Sequence, residues 1–226
     1  LACSFEAMEE YYQSQGREWE RYAMIKARPL TGDPAAREEI MKLLRPFVFR
    51  RYLDYRAFDS LRDLKRQIHR EVERKGQQEN IKLGPGGIRE IEFIAQAFQL
   101  VRGGREPALR RRSVVAVLQS LADLQFLPAQ TSRELIAAYV FLRRTENRLQ
   151  AMHDEQVHHL PVPDYERARL ALAMNYPDWK RFRLALEAHQ TTVEQHFQQV
   201  FVVPQADTPA ALESLKELWL GHLKGE

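Results

Sequence analysis

The sequence predicts an all-α fold, and three observations carry that prediction. Apolar residues recur three or four positions apart along most of the chain. Strand-like alternation is almost absent. Proline, glycine and capping residues punctuate the periodic runs. The expected architecture is a helical bundle, built as two packed helical subdomains that join near one Gly-rich segment.

Residues 4–28 read as one helix, with Ser4 as N-cap and a weak point at Gly16. Pro29 ends it. Asp33-Pro34 restarts a helix, supplying a cap oxygen and a proline at the first helical position. That helix is expected to break near Pro46, before the aromatic and basic stretch Phe47 to Leu53. Residues 57–75 form a charged helix with the stripe Phe58, Leu61, Leu64, Ile68 and Val72. After a polar loop comes Lys82-Leu83-Gly84-Pro85-Gly86-Gly87. A helix over 88–102 then turns Ile88, Ile91, Ile94, Ala95, Phe98 and Val101 inward, until Gly103-Gly104 ends it.

Pro107 opens the next helix, running to residue 125. Thr131 and Glu134 fit a capping box that starts a helix to residue 153. Asp164 caps a short helix to residue 175, and Pro177 breaks it. Residues 178–201 place Phe182, Leu186, His189, Val193, Phe197 and Val200 on one face. Thr208-Pro209 restarts a last helix to residue 223. The expected divisions are 1–87, ending in the Gly-rich loop, a bundle over 88–203, and a linker with a helix over 204–226.

Composition narrows the function classes. With 226 residues, 44% hydrophobic and 29% charged, the chain can build a core and is not long-disordered. Lys and Arg total 34 against 31 Asp and Glu, a balance that argues against a nucleic-acid partner. The single cysteine, Cys3, excludes a disulfide framework and a cysteine-based metal site, and fits a reducing cytoplasm. No apolar run is long enough for a membrane span. A first residue of Leu, not Met, leads us to expect a piece of a longer protein.

Two segments can carry chemistry. In Lys82 to Phe93, glycines let the backbone approach a ligand, and a following helix N-terminus offers free N–H groups. With Lys82 and Arg89 adding charge, Gly84, Gly86 and Gly87 can cradle a phosphate. The pattern is neither a Walker A loop nor G-x-G-x-x-G, and the same residues also fit a tight turn. Glu90 and Glu92 point about 200° apart on a helix, so only one can face a site there. In an extended segment both would share a face. In Trp19 to Arg28, Arg21 and Arg28 share a helix face while Lys26 joins Trp19 and Tyr22. That combination suits nucleotide stacking and phosphate contact, or simply an amphipathic helix with Trp19 inside. The seven histidines show no metal-ligand spacing, and no Ser-His-Asp or Cys-His pattern is readable.

These segments, with Asp59-Ser60-Leu61-Arg62-Asp63-Leu64-Lys65 and Arg144-Thr145-Glu146-Asn147-Arg148-Leu149-Gln150, resemble the bifunctional glutamine synthetase adenylyltransferase/adenylyl-removing enzyme family. The resemblance covers residues 1–203. It implies two nucleotidyltransferase halves, and the form G-P-G-G-I-R-E-I-E-F is similar to the N-terminal, adenylyl-removing one. That half would phosphorolyse adenylyl-tyrosine on glutamine synthetase, giving ADP. The other half would attach AMP from ATP. The family's Gly-Ser signature and Mg²⁺-binding Asp-x-Asp do not occur in a matching context here. The resemblance places them before Leu1, so the chain is expected to be the helical part following a polymerase-β-like domain, and inactive alone.

The resemblance further implies that Arg21, Lys26, Arg28, Lys82, Gly84, Gly86, Gly87 and Arg89 line a nucleotide or phosphate cleft. Arg89 is expected to pair with Glu90 or Glu92. Implied partners are glutamine synthetase, the PII signal protein and the second half of the same chain. The competing expectation is a helical module that docks glutamine synthetase or PII and takes no part in chemistry.

Overall fold

The computed structural model describes residues 3–50 and 79–201. The helices expected over 57–75 and 209–223 lie outside the described residues. Within them are eight α-helices and no strand: α1 (Phe5–Ser14), α2 (Glu18–Met24), α3 (Pro34–Val48), α4 (Ile88–Arg102), α5 (Val114–Asp123), α6 (Ala129–His153), α7 (Asp164–Ala173) and α8 (Trp179–Phe201). The all-α prediction holds.

Local chemistry sets the boundaries. Ser4 caps α1 by accepting the Ala7 N–H at 3.3 Å. The expected single helix over 4–28 is instead two. The Tyr11 carbonyl takes the N–H groups of both Gln15 and Gly16, which closes α1. Glu20 then starts α2 by accepting the Arg17 N–H at 2.9 Å, with its other oxygen held by the Tyr11 hydroxyl at 2.8 Å. Gly16 itself is needed for contact, because a Cβ there would lie 2.5 Å from the Phe47 ring.

Helix α3 begins as predicted, with Asp33 accepting the Ala36 N–H at 2.9 Å. It does not break at Pro46. Its last residues, Phe47 and Val48, are buried, and Tyr12 packs on Phe47 with ring centroids 4.5 Å apart. Burying two such side chains is worth about 1.5–3 kcal/mol each, which offsets the one hydrogen bond that proline removes.

Two more starts differ from expectation. Pro107 opens only a 3₁₀ turn, Pro107–Leu109, and α5 begins later. The intervening chain is held irregular by side chains. Gln99 donates to the carbonyls of Leu109 and Arg111 at 2.6 and 2.7 Å. Arg110 donates to those of Gly103 and Gly104 at 2.6 and 3.0 Å. Helix α6 starts at Ala129 after Pro128, so Thr131 lies inside it and no Thr131–Glu134 capping box forms. Asp164 is the first residue of α7 and not its cap.

The described residues fall into two compact units. One comprises 3–50 and 95–120. Helices α1 and α2 pack on α3 there, and Ile25, Leu44, Val48, Phe98, Leu109 and Val117 are buried. The other comprises 79–94 and 121–201. Helices α6, α7 and α8 pack together there around Leu135, Leu142, Phe182, Leu186, Val193 and Phe197.

Candidate functional site

The Gly-rich segment is a self-contained hydrogen-bonded knot. Buried Asn80 organises its entry: its Oδ1 accepts the N–H groups of Lys82 at 3.0 Å and Leu83 at 2.9 Å. The Asn80 carbonyl takes the Gly84 N–H at 2.7 Å. The N–H groups of Gly87, Ile88 and Arg89 go to the carbonyls of Gly84, Ile81 and Lys82. Glu90 reaches back to the Gly86 N–H at 3.0 Å. The phosphate cradle expected here requires free backbone donors. From Lys82 to Glu90 every N–H already has a protein acceptor, so the glycines serve the turn and its packing.

The side chains around this knot are a different matter. Residues 79–81 lie beside 158–160 through the Asn80–His159 bridge and an Ile81 N–H bond to the His158 carbonyl at 3.0 Å. This brings Lys82 and His158 to Glu146 of α6, whose side chain is 4% exposed. Arg143 donates to Glu146 Oε2 at 2.6 Å. Lys82 Nζ stands 3.4 Å and His158 Nδ1 3.1 Å from Oε1. Neither approach has hydrogen-bond geometry, and both Oε1 and His158 Nδ1 remain without such a partner among the described residues. Burial pushes the His158 imidazole below its ordinary pKa, and Lys82 adds to that shift while Glu146 opposes it. A neutral imidazole therefore sits beside a buried carboxylate at neutral pH.

Arg89 pairs with Glu92 at 3.2 Å, one of the two partners expected, while Glu90 is occupied by Gly86. Both carboxylates lie on helix α4, and they do not converge. Arg143 also lies over the Tyr139 ring, 5.6 Å from its centroid. Lys82, Arg89 and Arg143 are matched in number by Glu90, Glu92 and Glu146, so the group is balanced in formal charge.

The other expected residues belong to the first unit. Arg21 is 2% exposed; its guanidinium donates to the Val48 carbonyl at 2.9 Å and the Leu100 carbonyl at 2.8 Å. It clamps the ends of α3 and α4. Lys26 donates to the Arg112 carbonyl. Arg28 is exposed on the rim of a cavity of about 290 Å³. Trp19, at 62% exposure, is not a core residue.

Among the described residues no group of three or more His, Cys, Asp or Glu is placed to hold a metal ion. His189 packs on Phe141, and His196 on Glu134 at 2.6 Å. The sequence reading did not single out Asn80, Arg143, Glu146 and His158 as site residues. Glu146 carried a signal: it lies between Leu142 and Leu149 at helical spacing, a carboxylate on an apolar stripe.

Residues 62–201 match the family described as GlnD PII-uridylyltransferase, which is more than half of the chain. The chain belongs to that family. Residues 1–43 match a second description, Glutamate-ammonia ligase adenylyltransferase. Three relatives named bifunctional glutamine synthetase adenylyltransferase/adenylyl-removing enzyme align along nearly all of it. The Nitrosococcus oceani protein is 55% identical over 98% of this chain, and the Thioalkalivibrio sulfidiphilus protein 50% over 100%. The Pseudomonas syringae pv. tomato protein is 49% identical over 98%. The chain spans about a quarter of the length of these relatives, at 23%, 24% and 22%. The resemblance read from the motifs thus extends over the whole chain.

Proposed function

We propose that this chain is the helical part of the adenylyl-removing half of a protein that controls glutamine synthetase by reversible adenylylation. The observation that carries the reading is the alignment of 98–100% of the chain with relatives so named. In this reading inorganic phosphate attacks the AMP phosphorus, the bond to the tyrosine oxygen breaks, and ADP leaves with the tyrosine proton restored. The Mg²⁺ chemistry falls to carboxylates outside this sequence. The chain's own share is positioning: the Asn80 knot fixes the Lys82 backbone, and Glu146, itself held by Arg143, stands beside the Lys82 ammonium, which remains partly exposed and can meet a phosphate oxygen. The protein would work in the cytoplasm, beside its substrate and the PII signal protein.

The test has two arms. The 226-residue chain alone should release no ADP from adenylylated glutamine synthetase in the presence of phosphate; release would overturn the assignment of the metal chemistry elsewhere. In the full-length protein, Lys82→Ala should raise the KM for phosphate. An unchanged KM removes Lys82 from the site.

One observation favours a docking role as well. Val162, Tyr165, Leu172 and Leu184 are 60–77% exposed on α7, α8 and the turn before them. Charged substitutions there should leave phosphorolysis of a small adenylyl-tyrosine peptide unchanged. If they weaken turnover of whole glutamine synthetase, the module docks it.

A further inference from the structure

Within the second unit, His158 stands between two groups of opposite charge. Its Nδ1 lies 3.1 Å from Glu146 Oε1, and its Nε2 lies 3.5 Å from Lys82 Nζ. A carboxylate only accepts hydrogen bonds and an ammonium only donates them. The neutral ring therefore carries its proton on Nδ1 and turns the Nε2 lone pair to Lys82. The backbone fixes the ring's place, because the His158 carbonyl accepts the Ile81 N–H at 3.0 Å.

This arrangement suits one protonation state only. The next proton must go to Nε2, the atom that faces the ammonium. It removes the acceptor that Lys82 uses and sets a second positive charge against the first. The imidazolium keeps its Nδ1–H beside Glu146, whose buried Oε1 has no hydrogen bond among the described residues. Of the basic side chains around Glu146, Lys82 is then held least. Arg143 donates to Oε2 at 2.6 Å and lies over the Tyr139 ring, whereas Lys82 keeps only its 3.4 Å approach to Oε1. The Lys82 side chain is 29% exposed, so solvent offers it a way out.

We propose that His158 is a proton-operated latch: its neutral ring keeps Lys82 at Glu146, and protonation at Nε2 hands Glu146 to the imidazolium and turns Lys82 out to solvent. The coupling is reciprocal. Burial first, and then Lys82, depress the imidazole pKa; Glu146 opposes them, and His159 and Arg143 add to the depression. Among the described residues these are the charged and titratable groups that act on the ring from the Gly-rich turn, from α6 and from its own segment. Since Lys82 resists the proton, the proton expels Lys82. The latch is therefore closed above the ordinary imidazole value of about 6.5 and opens below it. It rests on these side chains alone and holds whichever ligand Lys82 meets.

Competitive amine labelling of the full-length protein, read by peptide mass spectrometry, tests the latch. Labelling of Lys82 relative to the exposed Lys180 cancels the pH dependence common to amines. That ratio should rise severalfold between about pH 7.5 and about pH 5. His158→Gln keeps a side-chain acceptor but cannot titrate in this range, and its ratio should stay flat. Nitrogen-15 NMR of the imidazoles in the 226-residue chain gives a readout without any substitution. At neutral pH His158 should show the Nδ1–H tautomer. A flat ratio in the unsubstituted protein, a rise that persists in His158→Gln, or the Nε2–H tautomer at neutral pH overturns the proposal.

Discussion

Gly86 lies directly against the backbone of Gln190: a Cβ on Gly86 would fall 2.2 Å from the Gln190 carbonyl oxygen. Its φ of +66° is also one that L side chains rarely adopt. Gly86→Ala should therefore destabilise by roughly 2 kcal/mol or more. Gly32 separates the two causes. Its φ is +99°, but the nearest atom to its Cβ position is 4.0 Å away. Gly32→Ala should cost only about 1 kcal/mol. Urea denaturation compares them, and equal losses would mean the close approach carries no cost.

Asn80 supplies one acceptor for two N–H groups. Asn80→Ala strands both in a largely buried turn, at about 1–3 kcal/mol. Amide exchange gives the local readout. The Lys82 and Leu83 amides should exchange much faster in the variant, and unchanged exchange there would show the turn stands without Asn80.

Arg21 and Arg28 share a helix face in the sequence reading and part company in the structure. Arg21→Met leaves the carbonyls of Val48 and Leu100 without their donor and should cost about 3 kcal/mol. Arg28→Ala should stay within about 0.5 kcal/mol, because its side chain is exposed. The two melting temperatures decide the matter.

His158 and His189 both titrate below the ordinary imidazole value of about 6.5. The unfolded chain then binds more protons than the native one as pH falls through that value. Their contribution to stability is present above about pH 6.5 and is lost as the pH drops below it. For His158 the neighbours give a signed test by NMR titration. Lys82→Ala should raise its pKa, and Glu146→Gln should lower it further. Shifts in the same direction would mean the imidazole does not sense both groups.

What the sequence revealed was mostly local. The Asp33 cap, the inward stripe of Ile88, Ile91, Ile94 and Phe98, and the Arg89–Glu92 pair all depend on residues within about one turn, where spacing alone dictates contact. Pro46 was misread because its fate depends on Phe47, whose partners Tyr12 and Gly16 are thirty residues away. Arg21 was misread for a similar reason: its acceptors are carbonyls 27 and 79 residues distant, and backbone acceptors leave no trace in side-chain chemistry. The Lys82–Glu146–His158 group joins segments more than sixty residues apart, so periodicity could flag Glu146 as out of place without naming its companions.

The closed hydrogen bonding of the Gly-rich knot bears on how mutational scans of this protein should be interpreted. Gly86 and Gly87 will tolerate almost no replacement, and an activity screen would score them like catalytic positions. A parallel screen for folded protein abundance should register the same loss at Gly86, Gly87 and Asn80, and a much smaller one at Lys82. Positions where the two screens diverge, and not those most intolerant in either, will mark the residues that meet the ligand.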